Sequence, residues 1–339
     1  MTGSPGREDW QRWVLQELPA PDWLAQDGPD RDVCLSVRVR VMRNLRGYPF
    51  PNRATSAQLA EVTDRVLAAV ATERLEVHKS ITNAERDYLV GCRLISPEFE
   101  WTLPARTLLL DAPKRRSLMI HEEDHVRLQA ILGGWAPREA EHEAGRLLRP
   151  IEASLPMAHA PELGYLAASP TNLGTGRRVS GMFQLIGLAQ NQRLGPIIRA
   201  LGAKGLVVRG LFGESSRAVG AFVQISVLRE ADSDFVGACE YLMAEERKAR
   251  AERPRADIRT RAEQVRDFAR QSPILSLADA LRVLGWLRWA AAERLDGFPS
   301  SVRAVDQVLA ALEIRPSQGE ATASLGRAQL IHRLCEVAG

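Results

Sequence analysis

Apolar and polar positions change period along this chain, and each change marks an element. Over 34–41 they alternate at a spacing of two, the period of a strand, so Arg38 and Arg40 share one face. After Thr55, Leu59, Val62, Val66 and Val70 recur at helical spacing. Thr55 and Gln58 have the form of a capping box, and a helix is predicted over 55–74. A short helix is predicted over 84–94. The apolar runs 107–110 and 117–120 flank the turn-like Asp111-Ala112-Pro113-Lys114 and predict a hairpin. Pro137 suits a first helical turn, ahead of a polar helix over 138–148. Further strands are predicted over 182–188, 205–208 and 221–227.

From about Phe235 the helical period takes over. The stretch 240–263 is dense in Ala, Glu and Arg and is broken by Pro254. Amphipathic helices are predicted over 275–295 and 302–312, with Gly297-Phe298-Pro299 between them, and a last helix over 325–337. The order predicts an α+β catalytic domain over residues 1–250 followed by a small all-helical domain over 251–339. Leu281, Leu284, Leu287 and Trp289 form an apolar stripe that suits either homodimer formation or packing on the catalytic domain.

Composition narrows the class. Of 339 residues, 45% are hydrophobic and 26% charged, as expected for a globular protein. No apolar run is long enough for a membrane span, and the polar start does not resemble a secretory signal. Cys34, Cys92, Cys239 and Cys335 are widely spaced, which argues against a disulfide framework or zinc site and for the cytoplasm. A net charge of +3 is too small to argue for nucleic acid. Lys79, Lys114, Lys204 and Lys248 are the only lysines. Codon bias explains most of that, but arginine's planar fork also suits phosphate.

Four segments carry the candidate chemistry. Arg38 and Arg40 repel each other on one face unless an anion lies between them, although surface ion pairs would also accommodate them. Ser169-Pro170-Thr171-Asn172-Leu173-Gly174-Thr175-Gly176 leads into Arg177 and Arg178. Its glycines allow backbone N–H groups to approach an anion, or simply make a turn; no P-loop motif is present. Arg209 ends an apolar run just before Gly210. Glu122-Glu123-Asp124 stand between His121 and His125, ahead of Arg127, and Glu214 follows Gly213. These acids could be a solvated turn and a helix start. Their chemical alternative is a guanidinium acceptor, whose pKa above ~12 makes its nitrogen a poor nucleophile until a carboxylate aligns it and takes a proton.

In this order, the segments resemble the ATP:guanidino phosphotransferases, the family of creatine and arginine kinases, and in particular its bacterial branch, the protein arginine kinases. The resemblance runs from Pro21-Asp22-Trp23-Leu24 through Leu94-Ile95-Ser96-Pro97 and Leu163-Gly164-Tyr165-Leu166 to Gln224-Ile225-Ser226. It implies an antiparallel sheet flanked by helices. It also implies that Arg38, Arg40, Arg127, Arg178 and Arg209 bind the ATP phosphates, with Mg²⁺ held mainly through those phosphates. Glu123 and Glu214 would engage the guanidinium. Ser36, Val37, Val39, Val179, Ser180, Gly181, Met182, Gly210, Leu211, Phe212 and Gly213 would line the nucleotide pocket.

The short stretch ahead of Ser36 leaves no room for the helical domain that precedes this motif in creatine and arginine kinases, so an open acceptor site is expected. Three positions depart from the family. Ser169 stands where the family has a catalytic cysteine, and Arg93 where a histidine lies near the adenine. Of an Arg-Asp-x-x-Arg-Ala motif in the tail that binds phosphoarginine, only Arg327-Ala328 remains. The expected activity is transfer of the γ-phosphoryl of MgATP to arginines presented by proteins, with neither nucleic acid nor membrane as partner. The alternatives are a kinase of a free guanidino compound and a degenerate regulator that binds nucleotide or phosphoarginine.

Overall fold

The computed structural model describes residues 20–210, 218–227, 234–312 and 319–336. Its centre is an eight-stranded antiparallel sheet in the order β2-β3-β4-β5-β1-β8-β10-β9. The strands are β1 (Cys34–Arg43), β2 (Leu75–His78), β3 (Thr107–Asp111), β4 (Arg116–Ile120), β5 (Val126–Gly133), β8 (Arg177–Gln184), β9 (Leu206–Gly210) and β10 (Phe222–Val227). A small ribbon, β6 (His159–Ala160) with β7 (Gly164–Tyr165), stands apart.

Helices cover both faces. The described ones before residue 234 are α1 (Asp22–Ala25), α2 (Ser56–Ala69), α3 (Asn83–Gly91), α4 (Pro137–Ser154), α5 (Ile186–Gln190) and α6 (Leu194–Ala203). After it come α7 (Phe235–Ala251), α8 (Arg255–Gln271), α9 (Leu277–Ala292), α10 (Val302–Ala311) and α11 (Glu320–Glu336). Among the described residues no helix is long and apolar enough to cross a membrane.

Strand period decides which side chains meet which layer. Val37, Val39 and Val41 point to the back face, in one apolar cluster with Ala140, Ala144, Leu147 and Ile151 of α4. Leu110, Met119, Ile131 and Met182 point to the front. There they join a second cluster with Trp23, Tyr88, Leu284, Trp289, Leu309 and Ile331. The stripe of Leu281, Leu284, Leu287 and Trp289 is buried in this cluster, so it packs within its own chain. Where α9 and α10 meet the sheet, a buried ion network holds them. Asp306 accepts from Arg288 Nε at 2.7 Å and from Arg31 at 3.2 Å, and Arg288 donates to the Arg31 and Asp32 carbonyls.

The hairpin of β3 and β4 and the capping box of α2 stand as predicted, both Thr55–Gln58 bonds included. Three predictions differ. The helix predicted over 55–74 ends at Ala69, because the chain turns there into β2, which pairs with β3 at the sheet edge. The polar helix runs on to Ser154, through Pro150. The strand predicted over 182–188 is displaced: β8 spans Arg177–Gln184, and Ile186–Gln190 is helical. That short helix has a distant support, since Glu246 of α7 accepts from the Gly187 and Leu188 amides at 2.8 and 2.9 Å.

Candidate active site

Register brings the arginines together. Arg40 stands opposite Arg178 on one side and Gln129 on the other, while Arg38 stands opposite Ser180. Arg127 faces Met42, and Arg209 faces Gln224, which faces Met182, which faces Ser36. Residues opposite one another in an antiparallel pair share a face. Arg38, Arg40, Arg127, Arg178 and Arg209 therefore occupy the front of the sheet. All five line one cavity of about 580 Å³, together with Arg93 and Gly210.

Among the described residues that line the cavity, arginines outnumber carboxylates. Burial, then Arg93, Arg127 and Arg178, push Arg38 down to about 9. Burial and the neighbouring guanidiniums push Arg40 well below the usual range, with Glu122 opposing. Burial is the larger cause in both; the remainder is like-charge repulsion, which a bound polyanion would relieve. The Nε of Arg40 is buried without a hydrogen-bond partner.

The acidic turn between β4 and β5 is not a solvated loop. Glu122 is buried and accepts from Arg127 at 2.6 Å, Ser96 Oγ at 2.7 Å and the Glu123 amide at 2.8 Å. Burial alone would raise its carboxyl, but Arg127 and the Ser96 bond outweigh that and lower it. Asp124 is buried too; it accepts from Asn44 Nδ2 at 2.6 Å and the Ala168 amide at 2.7 Å. Glu123 is exposed. Its carboxyl is raised by partial burial, then by Asp124 and Glu122, against Arg127. Backbone pins hold the turn. Arg106 donates to the His121 and Glu122 carbonyls at 2.6 and 3.1 Å, and His121 adopts φ 60°.

The Asp124–Ala168 bond ties this turn to the loop that carries Ser169, a half-buried hydroxyl 3.0 Å from Thr171 Oγ1. Arg43 anchors the other end of that loop. It donates to the Thr175 carbonyl at 2.9 Å and lies 3.4 Å from the Tyr165 ring centre.

Some expected lining residues stand elsewhere. Val37, Val39 and Val179 point to the back face and sit in the core beneath α4, because they alternate with the arginines and serines on their strands. A Cβ on Gly181 would meet Phe183 at 2.5 Å and Trp135 at 3.1 Å, also on the back. Met182 faces front but lies in the apolar cluster. Ser36 accepts from Arg93 at 3.4 Å. Leu211, Phe212, Gly213 and Glu214 lie outside the described residues. No site role was predicted for Gln129, Gln224 or Ser96, and Glu122 entered only as part of the acidic run. The two glutamines flank the arginine row and line the cavity, and Glu122 fixes Arg127. Alternation within β5, Arg127-x-Gln129-x-Ile131, was the available signal.

The sequence model of the ATP:guanido phosphotransferase C-terminal catalytic domain matches residues 57–236. The chain belongs to this family. A protein-arginine kinase of Moorella thermoacetica is 33% identical over 310 residues, 85% of this chain and 86% of that one. Another, from Brevibacillus brevis, is 35% identical over 255 residues, 71% of each chain. Among solved structures, lombricine kinase superposes with a TM-score of 0.57 over 70% of this chain and 74% of its own, at 24% identity, and shares the fold. As a guanido phosphotransferase, the protein is an ATP-dependent enzyme acting on a guanidino group, and its front-face arginines lie within or beside the matched region.

Proposed function

We propose that this protein transfers the γ-phosphoryl group of MgATP to arginine side chains of proteins. The observation that carries the reading is the row of five arginines on one face of the sheet, lining one cavity, beside one exposed carboxylate, Glu123. In this reading the arginines hold the triphosphate and neutralise the charge that spreads over the transferring group. Glu123 aligns the acceptor guanidinium and takes its proton as the P–N bond forms and the bond from γ-phosphorus to the bridging oxygen breaks, releasing ADP. Glu122 serves the phosphates indirectly by orienting Arg127. Mg²⁺ enters with the nucleotide, whose phosphates supply its oxygens. Protein acceptors are favoured by the protein-arginine kinases that this chain resembles and by the exposure of Glu123. The same reading puts the reaction in the cytoplasm, where MgATP is abundant.

One observation favours a second reading, a nucleotide-binding regulator without transfer activity. Ser169 presents a neutral hydroxyl where the family resemblance implies a thiolate. A single experiment separates the two. Casein is incubated with MgATP and the protein, and phosphoarginine is sought by mass spectrometry under conditions that spare the acid-labile P–N bond. The wild type should give phosphoarginine, and Glu123→Gln should give none while binding ATP with unchanged affinity. ATP binding without phosphoarginine would establish the regulator, and labelling of free arginine alone would move the acceptor to a small guanidino compound.

A further inference from the structure

We infer that α10, in the helical tail, forms the wall against which the purine base of the nucleotide rests, making the tail part of the nucleotide site. The inference relies on the arginine face being the triphosphate site.

The arginine row has a direction. Its acceptor end is fixed by Glu123 and by Arg127, which is held on Glu122 at 2.6 Å. Going back along β1, Arg40 and Arg38 are about 7 Å apart, the rise of two strand residues, and Ser36 follows. The strongest like-charge neighbour of Arg38 is Arg93, whereas those of Arg40 are Arg38 and Arg127. A triphosphate laid on this row from the acceptor end therefore delivers its nucleoside beyond Arg38, at Arg93.

That end is built for a flat, apolar-faced group. The Arg93 guanidinium lies 5.7 Å from the centre of the Trp23 ring, and Trp23 is fixed by a 3.0 Å bond from Nε1 to the Cys92 carbonyl. Arg93 itself is set by φ 60° and by Gln129 Nε2, which donates to its carbonyl at 2.6 Å. The remaining wall comes from Val90 and Gly91 at the end of α3 and from Leu309 and Ala310 of α10. The two helices meet at backbone distance: a Cβ on Gly91 would lie 2.0 Å from the Ala310 carbonyl oxygen. Nor is α10 free to withdraw. Asp306 roots it in the buried network with Arg31 and Arg288, and Arg303 donates to the Ala25 carbonyl at 2.9 Å. A base held between a guanidinium plane and an aliphatic wall gains stacking and apolar contact without a dedicated hydrogen-bond code.

Hydrogen exchange over residues 302–311 tests this on the intact chain, with ATP and with inorganic tripolyphosphate. ATP should slow exchange there and tripolyphosphate should not, although both occupy the arginines. In parallel, Leu309→Ala should weaken ATP by roughly five- to tenfold and leave tripolyphosphate affinity unchanged, as expected from the loss of a few methylene contacts. Leu309→Met conserves volume and serves where the alanine variant does not fold. Equal protection by the two ligands, or equal loss of both affinities, would make α10 a structural support only and overturn the inference. If the wild type binds neither ligand, the arginine row is no triphosphate site, and the failure lies there rather than with α10.

Discussion

Glu122, Glu123 and Asp124 look alike in the sequence and have three different situations in the structure. Glu122 is committed to Arg127 and Ser96, Asp124 to Asn44 and Ala168, and Glu123 is left exposed. A run of acids was legible as a candidate; the division of labour was not, because Ser96, Asn44 and Ala168, which hold Glu122 and Asp124, lie in distant segments. His125, which closes the same turn, makes the clearest prediction at this scale. Its Nδ1 accepts the Leu45 amide at 3.1 Å and its Nε2 donates to the Pro49 carbonyl at 2.9 Å, so the neutral ring is satisfied and an imidazolium would oppose N–H to N–H. Burial lowers it from its ordinary 6.5 to about 4. The unfolded chain therefore binds the proton first. His125's contribution is whole above pH 6.5 and is lost as pH falls toward 4, by roughly 3 kcal/mol. Glu122, lowered, loses stability in the same direction further into acid; Asp124 and Glu123, raised, oppose it. Melting temperature measured across that window should fall, and His125→Asn should flatten the slope. An unchanged slope would remove the role of the ring.

Among the elements, those with local signals were legible and those with remote support were not. The α2 box, the β3–β4 hairpin and the alternation of β1 each announce themselves within a few residues. β5 carries Arg127 and Gln129 yet went unpredicted, since its alternation is short and ends in the apolar run Ala130-Ile131-Leu132. Ile186-Gly187-Leu188 reads as the end of a strand, but it is helical, and Glu246 from another helix accepts from two of its amides. That carboxylate is fully buried and also takes Arg250 Nε at 2.6 Å. Glu246→Ala would leave the Arg250 charge without its carboxylate and two amides without their acceptor, so a loss of about 3–5 kcal/mol is expected in denaturant unfolding. A loss below about 1 kcal/mol would mean that water replaces the carboxylate.

Across the whole molecule, the helical tail and the sheet share one interior. The front apolar cluster runs from Trp23 through Met182 to Cys335, and the ion network of Arg31, Arg288 and Asp306 crosses it. Periodicity foretold the tail helices, but no local pattern pairs Asp306 with an arginine 275 positions away. The tail also accounts for Arg327, the remnant of the motif implied by resemblance. It is buried, bonded to Glu320 at 2.6 Å and to the Leu312 carbonyl at 3.1 Å, and so is engaged within its own chain.

The sulfur inventory has a practical consequence. All four cysteines are buried, and burial raises every thiol, Cys92 to about 12, while the loop tied to the acidic turn carries Ser169. Thiolates, not thiols, react with alkylating agents and peroxide. Iodoacetamide or hydrogen peroxide should therefore leave phosphoryl transfer intact, and Ser169→Cys should raise the rate while making it sensitive to both. Inactivation of the wild type would mean that a buried cysteine opens to solvent during turnover. If it resists, this kinase can keep working through an oxidative burst that would silence a relative dependent on an active-site thiol.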